Sequence, residues 1–313
     1  MNDLGFSGLR RDNYKDHIAR LSEACKWLGI TRGRSHEYIK LLTEFHESDL
    51  RTRQHVLAYN ETCEIIDIYS LWQSTIDLFP GLKSEISKSL AGGPVLREEE
   101  RTRGKKNNRN RARNDAFVYY LAGRLIDAGI QVLGIDGFLR SGASREENAD
   151  ITIDSVIGPV DIQCKRPQSW RAFDSRVKEA RRQIRSKNRP GIVAMDCSVV
   201  IRPPGHLLRT NSAAEAHKRI ALLLQSLTSS TLMEQRNKFV LGFFLFARVP
   251  LITTIEESSI LDFQGSPISY FQRESVSTHV LFNNRHSVNP SLLLPILERL
   301  KAQSLLGRDL RSL

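Results

Sequence analysis

The residues from position 148 to position 167, NADITIDSVIGPVDIQCKRP, carry the clearest chemical signal in the chain. They predict two short strands joined in a hairpin, because alternating apolar and polar residues flank a glycine–proline pair. The first strand opens with Asp150, and the second ends with Gln163, a cysteine and Lys165. An acid on one strand, with an amide two residues before a lysine on the next, can build a metal-assisted phosphodiesterase site.

The alternation of side chains along a strand decides which of these residues share a face. It groups Asp161, Gln163 and Lys165 on one face of the second strand and directs the apolar residues between them into the opposite layer. Asp150 on the neighbouring strand then completes a group of oxygen donors beside one ammonium group.

Magnesium, or manganese in its place, is the cofactor that these donors predict, since Mg²⁺ prefers hard oxygen ligands and keeps several waters. We expect Asp150 to give a carboxylate oxygen, Gln163 its amide oxygen and Cys164 its backbone carbonyl oxygen. The metal would polarise the scissile phosphate and lower the pKa of a bound water. Lys165 would stabilise the charge that develops on the phosphate. The alternative is an ordinary surface hairpin, because such a short triplet is weak evidence by itself.

The elements around the hairpin indicate how it is held. Between residues 114 and 201 the pattern predicts, in chain order, a helix that stops at Gly129, strands at 130–133, 150–156 and 159–165, a helix at 172–187 and a buried strand at 191–201. This order of helix, three strands, helix and strand is typical of an α/β sheet with helices on both faces.

The rest of the chain divides into regions on either side of a basic segment. Apolar residues at helical spacing run from about 12 to 91, so we predict a helical domain over residues 1–96. Residues 97–113, rich in Arg, Lys and Asn, are either a linker or an extension of the helix that follows. Residues 114–313 then form the α/β domain with a C-terminal extension.

The hairpin resembles the PD-(D/E)xK nuclease superfamily, and within it the Mrr-type restriction endonucleases, which often have Gln at the second acid of the motif. The resemblance implies a restriction-endonuclease-like mixed sheet flanked by helices, here preceded by an all-helical N-terminal region. It gives Asp150 the place of the motif aspartate, Gln163 that of the variable acid or amide, and Lys165 that of the motif lysine.

Such domains often carry another catalytic acid on the helix before the first strand. Asp115 is our candidate, because it lies at the start of that helix, and Glu146 and Glu147 are its rivals. The resemblance implies a metal-dependent endonuclease that hydrolyses DNA, with defence against foreign DNA as its role.

The helix predicted at 172–187 adds a surface for nucleic acid. Five arginines lie just before this helix or beside its apolar stripe: Arg166, Arg176, Arg181, Arg182 and Arg185. Arginine side chains neutralise phosphates without reading sequence, so we expect these residues to contact the backbone of the substrate. A solvated helix face is the alternative interpretation.

Composition agrees with an acidic partner in an intracellular setting. The chain has 46 Lys and Arg against 35 Asp and Glu, a formal charge of +11, which favours DNA and is also compatible with RNA. The start has no signal-peptide pattern, and no apolar run approaches the roughly 18 residues of a membrane span. Four cysteines without close spacing indicate free thiols. We therefore expect a cytoplasmic protein that has no membrane partner.

Two other functions remain open from the residues. The neutral Gln163 favours a nuclease-fold module that binds nucleic acid without cleaving it. The helical N-terminal region favours an assembly role, in which it binds a second copy of the chain or another protein.

Overall fold

A computed structural model of the chain describes residues 6–9, 14–31, 34–48, 53–91, 109–142, 149–201, 208–210, 213–227, 239–254 and 269–282. Within these ranges the protein is mixed α/β, with nine strands in one sheet. None of the helices in these ranges combines the length and the apolar character needed to cross a bilayer.

Helices dominate the N-terminal region as the sequence predicts, but the prediction of an all-helical region is wrong, because a short strand of the sheet precedes the helices. After a short strand, β1 (Phe6–Leu9), the structure has α1 (Tyr14–Leu28), α2 (Arg34–Ser48), α3 (Arg53–Trp72) and α4 (Leu82–Ala91). Their buried residues recur at helical spacing, as at Leu21, Ala24 and Leu28 of α1. The apolar pattern therefore predicts these helices correctly.

The basic segment leads into a helix. Helix α5 (Arg109–Asp127) begins inside it, so residues 109–113 extend the helix; residues 97–108 lie outside the described part of the chain. The helix ends before Gly129, whose φ of 72° is the left-handed conformation that glycine adopts at helix ends.

The strands of the candidate site follow α5 in the predicted order. They are β2 (Val132–Ile135), β3 (Phe138–Leu139), β4 (Ile151–Ile153) and β5 (Val160–Lys165), and they precede α6 (Trp170–Ser186) and β6 (Gly191–Asp196). The short β3 is an addition to the prediction. It pairs with β2 through a tight turn in which Asp136 and Gly137 both have positive φ, at 45° and 85°.

The apolar run at 191–201 is not one strand, contrary to the prediction. Strand β6 ends at Asp196, and a short helix, α7 (Ser198–Ile201), follows. The Asp196 Oδ1 atom accepts a hydrogen bond from the Ser198 backbone N–H at 3.0 Å. Aspartate turns the chain in this way where its carboxylate bonds the backbone two residues on.

The C-terminal elements continue the sheet. They are β7 (Leu208–Thr210), α8 (Ala213–Ser226), β8 (Val240–Thr254) and β9 (Ser269–Phe282). The apolar pattern predicts a helix over residues 213–227 and a strand over 239–249; both are confirmed, and the strand continues to Thr254. The same pattern predicts a closing helix at 292–300, which lies outside the described residues.

The sheet order places β5 in the interior of the sheet. Its strands run β1-β9-β8-β6-β5-β4-β2-β3, with β7 paired to β8. Strand β5 is antiparallel to β4 and parallel to β6, and α6 makes the crossover that a parallel pair requires.

Two apolar clusters cover the two faces of this sheet. One joins α1–α5 to Ala194 and to the apolar residues of β4 and β5, and the other packs α6 and α8 against Val193 and Met195. The N-terminal helices and the sheet thus share one core, while the domain boundary predicted at 97–113 stays a prediction.

Candidate functional site

The pairing of β4 with β5 brings Asp150 beside the end of β5. Ile151 is opposite Ile162, so one further step of this register sets Asp150 opposite Gln163. The Asp150 Oδ2 atom accepts a hydrogen bond from the Cys164 backbone N–H at 2.6 Å and lies 3.9 Å from the Lys165 Nζ atom. The acid and the lysine of the predicted site are therefore neighbours.

Polar residues of β5 face polar residues of α6 at matched intervals. The Lys165 Nζ atom is 3.8 Å from Glu179 Oε1. Four residues back along the strand, Asp161 Oδ2 is 3.9 Å from Nζ of Lys187, the residue just after α6, and 3.1 Å from the Arg189 guanidinium group. Two strand residues span about 6.6 Å and four helix residues about 6 Å, so we infer that the intermediate positions lie opposite each other. Those positions hold Gln163 and Gln183.

We call these three facing pairs the polar ladder: Lys165 with Glu179, Gln163 with Gln183, and Asp161 with Lys187. In its middle pair the Gln163 side chain and the Gln183 Oε1 atom are buried, and the pair is incompletely bonded. Within the described part of the chain, neither the Gln163 Nε2 atom nor the Gln183 Oε1 atom has a hydrogen-bond partner. A donor and an acceptor are thus left unused beside Lys165, where a buried polar group costs about 1–3 kcal/mol when unsatisfied.

The acid of the polar ladder is buried at one end, which we call the closed end, and the acids are part-exposed at the other, which we call the open end. At the closed end Asp161 is fully buried and accepts a hydrogen bond from Thr152 Oγ1 at 3.1 Å. At the open end the side chains of Lys165, Asp150 and Glu179 are 12%, 28% and 31% exposed. A ligand therefore reaches Lys165 from solvent while Gln163 lines the interior.

The Asp150 carboxyl group is held in a protein environment that favours its neutral form. Burial raises its pKa above 3.8, and the nearby Asp136 adds to the rise. The Lys165 ammonium group and the Cys164 N–H act in the opposite direction without cancelling it. A proton therefore competes with any cation for this carboxylate.

The Cys164 thiol does not belong to the site. It points into the apolar layer with α5, and burial raises its pKa well above the ordinary value, so that it stays protonated. The backbone N–H of Cys164 is what contacts Asp150, and a ligand role for its backbone carbonyl stays a prediction.

The structure gives the predicted first-helix acid a different environment. Asp115 Oδ2 accepts a hydrogen bond from Ser89 at 3.3 Å, and its charge helps to raise the pKa of the buried Tyr119. The carboxylate that raises the pKa of Asp150 is that of Asp136, in the β2–β3 turn. Glu146 and Glu147 lie outside the described residues.

Sequence reasoning missed Glu179 and Asp136. Glu179 is one of two acids on a helix otherwise rich in arginine, and it lies on the same edge as Gln183, four residues later, which was the available signal. Asp136 was hidden because Asp-Gly is also the usual signature of a tight hairpin turn.

The predicted phosphate-contacting arginines divide into two groups. Arg176, Arg182 and Arg185 are exposed on α6, although Arg176 forms an ion pair with Glu179 at 2.6 Å. Arg166 and Arg181 are buried, at 4% and 5% exposure, and so do not offer a phosphate-binding surface.

The two buried arginines make contacts within the protein interior instead. The Arg181 guanidinium group stacks 5.1 Å from the centre of the Phe243 ring, and burial lowers its pKa. The Arg166 Nε atom lies 3.3 Å from Asp196 Oδ2.

Asp196 belongs to a set of connected polar residues that we call the buried network: Arg166, Asp196, Ser198, Arg248 and Asp67. The Ser198 hydroxyl group donates to Asp196 and accepts from the Arg248 backbone N–H at 2.9 Å. The Arg248 side chain then pairs with Asp67 of α3 at 2.9 Å. This network connects the residue after Lys165 to the N-terminal helices.

The exposed face of α6 carries a basic stripe. Its members are cations within an arc of about 60° on the helix, over about 21 Å of its length: Arg171, Lys178, Arg182 and Arg185. All four are exposed, and no acid pairs with them within the described part of the chain. Glu179 lies about 90° around the helix from the centre of the stripe, so the stripe flanks the open end of the ladder.

Nothing in the described ranges brings together three or more His, Cys, Asp or Glu side chains in a way that could hold a metal ion. Comparisons of the chain with protein-family models, curated proteins and solved structures found no match. The function must therefore be argued from the site itself.

Proposed function

We propose that this protein is a metal-dependent nuclease that hydrolyses phosphodiester bonds, with DNA as the first candidate substrate. The observation that carries the proposal is the position of Lys165, whose ammonium group lies 3.9 Å from Asp150 and 3.8 Å from Glu179 at the open end of the polar ladder. A cation flanked by two carboxylates at the end of a strand is a geometry suited to phosphate chemistry.

The oxygen donors beside Lys165 fit a hard divalent cation in type. Asp150 and Glu179 supply carboxylates, Gln163 a buried amide whose Nε2 atom lacks a partner in the described chain, and Cys164 a backbone carbonyl. Mg²⁺ accepts such a set because it retains several of its waters. A divalent ion bound there would polarise a phosphoryl oxygen and lower the pKa of an attacking water.

The protein's own groups have separate tasks in this proposal. The Cys164 N–H holds the Asp150 carboxylate by its Oδ2 atom. The Lys165 ammonium group sits beyond hydrogen-bonding distance of both its carboxylates, so its N–H donors remain available to a phosphate oxygen. Because burial raises the pKa of Asp150, raising the pH strengthens metal binding and activity until that carboxyl group is ionised.

The basic stripe supports nucleic acid as the substrate. Its four cations have no acidic partner in the described chain, whereas Arg166, Arg176 and Arg248 each have one. Unpaired cations beside a phosphate site favour a polyanion over a small phosphomonoester. A restriction-endonuclease-like core and a role in defence against foreign DNA are parts of the same proposal, by resemblance.

The experiment is cleavage of a supercoiled plasmid with Mg²⁺ or Mn²⁺ over a range of salt concentrations. We expect nicking by the wild type and a loss of about 100- to 1,000-fold in Lys165→Ala, the effect of removing one charge-stabilising donor. The Lys165→Ala variant should keep most of its DNA affinity. A wild type that leaves the plasmid intact under all these conditions contradicts the proposal.

A catalytically inactive module that binds nucleic acid is the second candidate function. It is favoured by the neutral Gln163 and by the described residues' lack of a three-ligand metal cluster. Isothermal titration with Mg²⁺ and Mn²⁺ separates the two candidates, because only the nuclease requires a metal site that weakens in Asp150→Asn.

A further inference from the structure

The first residue of α6 is an exposed tryptophan. Trp170 is 51% exposed, and among the large apolar side chains that are exposed in the described part of the chain it alone is aromatic; the others are Val156, Leu222 and Leu223. The indole ring makes no ring contact or hydrogen bond with any other described residue. Its face is available to a ligand.

The position of Trp170 is fixed by its neighbours rather than by packing of its ring. Ser169 caps α6 by accepting a hydrogen bond from the Ala172 N–H at 3.2 Å, which holds the first turn. Only four residues separate Trp170 from Lys165 in the chain. The indole therefore lies at the same end of the sheet as the candidate site, about 90° around α6 from the centre of the basic stripe and on the side away from Glu179.

The charges around the indole indicate what it would stack against. Arg171 follows it directly and begins the basic stripe, which continues through Lys178, Arg182 and Arg185. An aromatic face combined with a track of cations is the combination that binds unpaired nucleotides, since cations follow the phosphates and bases stack on the ring. A duplex keeps its base faces covered by stacking and offers an indole only its backbone and grooves.

We propose that Trp170 and the basic stripe form a surface for a single-stranded segment of nucleic acid, with one base stacked on the indole. The inference rests on the proposed function, of which it names the substrate class: a strand with unpaired nucleotides beside the scissile phosphate.

The test is binding of labelled oligonucleotides to the full chain in EDTA, followed by fluorescence anisotropy. Single-stranded DNA, RNA of the same sequence and the matching DNA duplex form the three arms. Trp170→Ala should weaken single-strand binding roughly 5- to 150-fold, the range of base–aromatic stacking, and change duplex binding less than about twofold. Trp170→Phe should recover most of the loss.

Two other variants separate stacking from charge and from fold. Arg182→Ala should weaken binding of all three oligonucleotides and lower the salt dependence by roughly one phosphate contact. Leu222→Ala removes an exposed apolar side chain from α8 and should leave binding unchanged. The comparison of DNA with RNA identifies which strand the surface prefers.

The inference is overturned if Trp170→Ala leaves single-strand binding unchanged, if it weakens duplex binding equally, or if the wild type binds no single strand at low salt. Because EDTA removes divalent metal, this result does not depend on cleavage. A chain that binds single strands through Trp170 and nicks no nucleic acid would refute the nuclease and leave the surface standing.

Discussion

Lys165 and Arg166 are neighbours in the chain, yet they belong to two polar systems of opposite character. In the buried network each arginine forms an ion pair: Arg166 with Asp196, and Arg248 with Asp67. The polar ladder holds the Lys165 ammonium group at a distance from its carboxylates and leaves two buried atoms of neutral amides without hydrogen bonds among the described residues. In the buried network, the buried atoms that make no hydrogen bond belong to Arg166, whose charge is paired with Asp196. Matched charges specify a fold, whereas under-satisfied groups are those that a ligand can complete.

The largest effect that separates the two systems is expected from Asp196→Ala. It removes the charge facing Arg166, whose side chain is 1% exposed, and also the acceptor for Ser198. A buried charge deprived of its partner costs about 3–5 kcal/mol, so the midpoint of chemical denaturation should fall accordingly.

The matched control for this variant is the double replacement Arg166→Met with Asp196→Leu. Because it removes both charges together, it should be less destabilised than Asp196→Ala alone. If the single variant is as stable as the wild type, the buried network contributes no structural constraint and the contrast with the ladder fails.

The second effect is expected from Glu179→Gln in the polar ladder. The substitution removes a carboxylate beside Lys165 whose side chain is 31% exposed, so stability should change by less than about 1 kcal/mol. Cleavage should fall about 10- to 100-fold, as when a group that supports a metal site is lost. Initial rates of plasmid nicking and denaturation midpoints measure the two quantities.

The control is Asp174→Asn, the same acid-to-amide change at an exposed position on the same helix. It should leave both rate and stability unaltered. Equal losses of activity in the two variants would mean that the net charge of α6, and not Glu179 itself, matters to the reaction.

The sequence predicted the strands and the helix of the polar ladder more fully than it predicted the residues that contact their side chains. Alternation along β5 correctly separated Gln163 and Lys165 from Cys164, because strand periodicity alone fixes faces. The end of β5 at Lys165 and the apolar stripe of α6 followed from the same local patterns, whereas β4 ends at Ile153, three residues before the predicted end.

The partners depended on long-range packing, which periodicity does not encode. The sequence suggests that Arg166 and Arg181 are surface cations, but both are buried, where Arg166 pairs with Asp196 and Arg181 stacks on the Phe243 ring. Glu179 became a neighbour of Lys165 only through the crossover that lays α6 along β5. The strand predicted at 191–201 failed because Asp196 bonds the backbone locally.

A third, smaller effect concerns Asp150→Asn and has a defined pH dependence. Burial raises the pKa of folded Asp150, so the folded chain holds this proton more tightly than the unfolded chain. The resulting stability is present below the unfolded pKa and is lost as the pH rises through the folded value. Asparagine does not ionise, and its oxygen can still accept the Cys164 N–H.

We therefore expect Asp150→Asn to be more stable than the wild type at neutral pH, and the two proteins to converge in acid. Thermal denaturation between acid and neutral pH measures this, and nicking assays should show the loss of activity. A variant less stable than the wild type at neutral pH would mean that pairing with Lys165 outweighs burial.

The smallest expected effect tests whether the middle pair of the polar ladder also lacks hydrogen bonds in solution. Gln183→Leu replaces a buried acceptor that lacks a partner in the described chain by an apolar side chain of similar size. Removing such a group is neutral or stabilising, so the free energy of unfolding should stay equal or rise by up to about 1 kcal/mol. Gln131→Leu, at an exposed position, is the matched control and should stay within about 0.5 kcal/mol of the wild type. A loss of more than about 1 kcal/mol in Gln183→Leu alone would show that Gln163 and Gln183 are bonded in solution, and the middle of the ladder would then hold no unused donor or acceptor for a ligand.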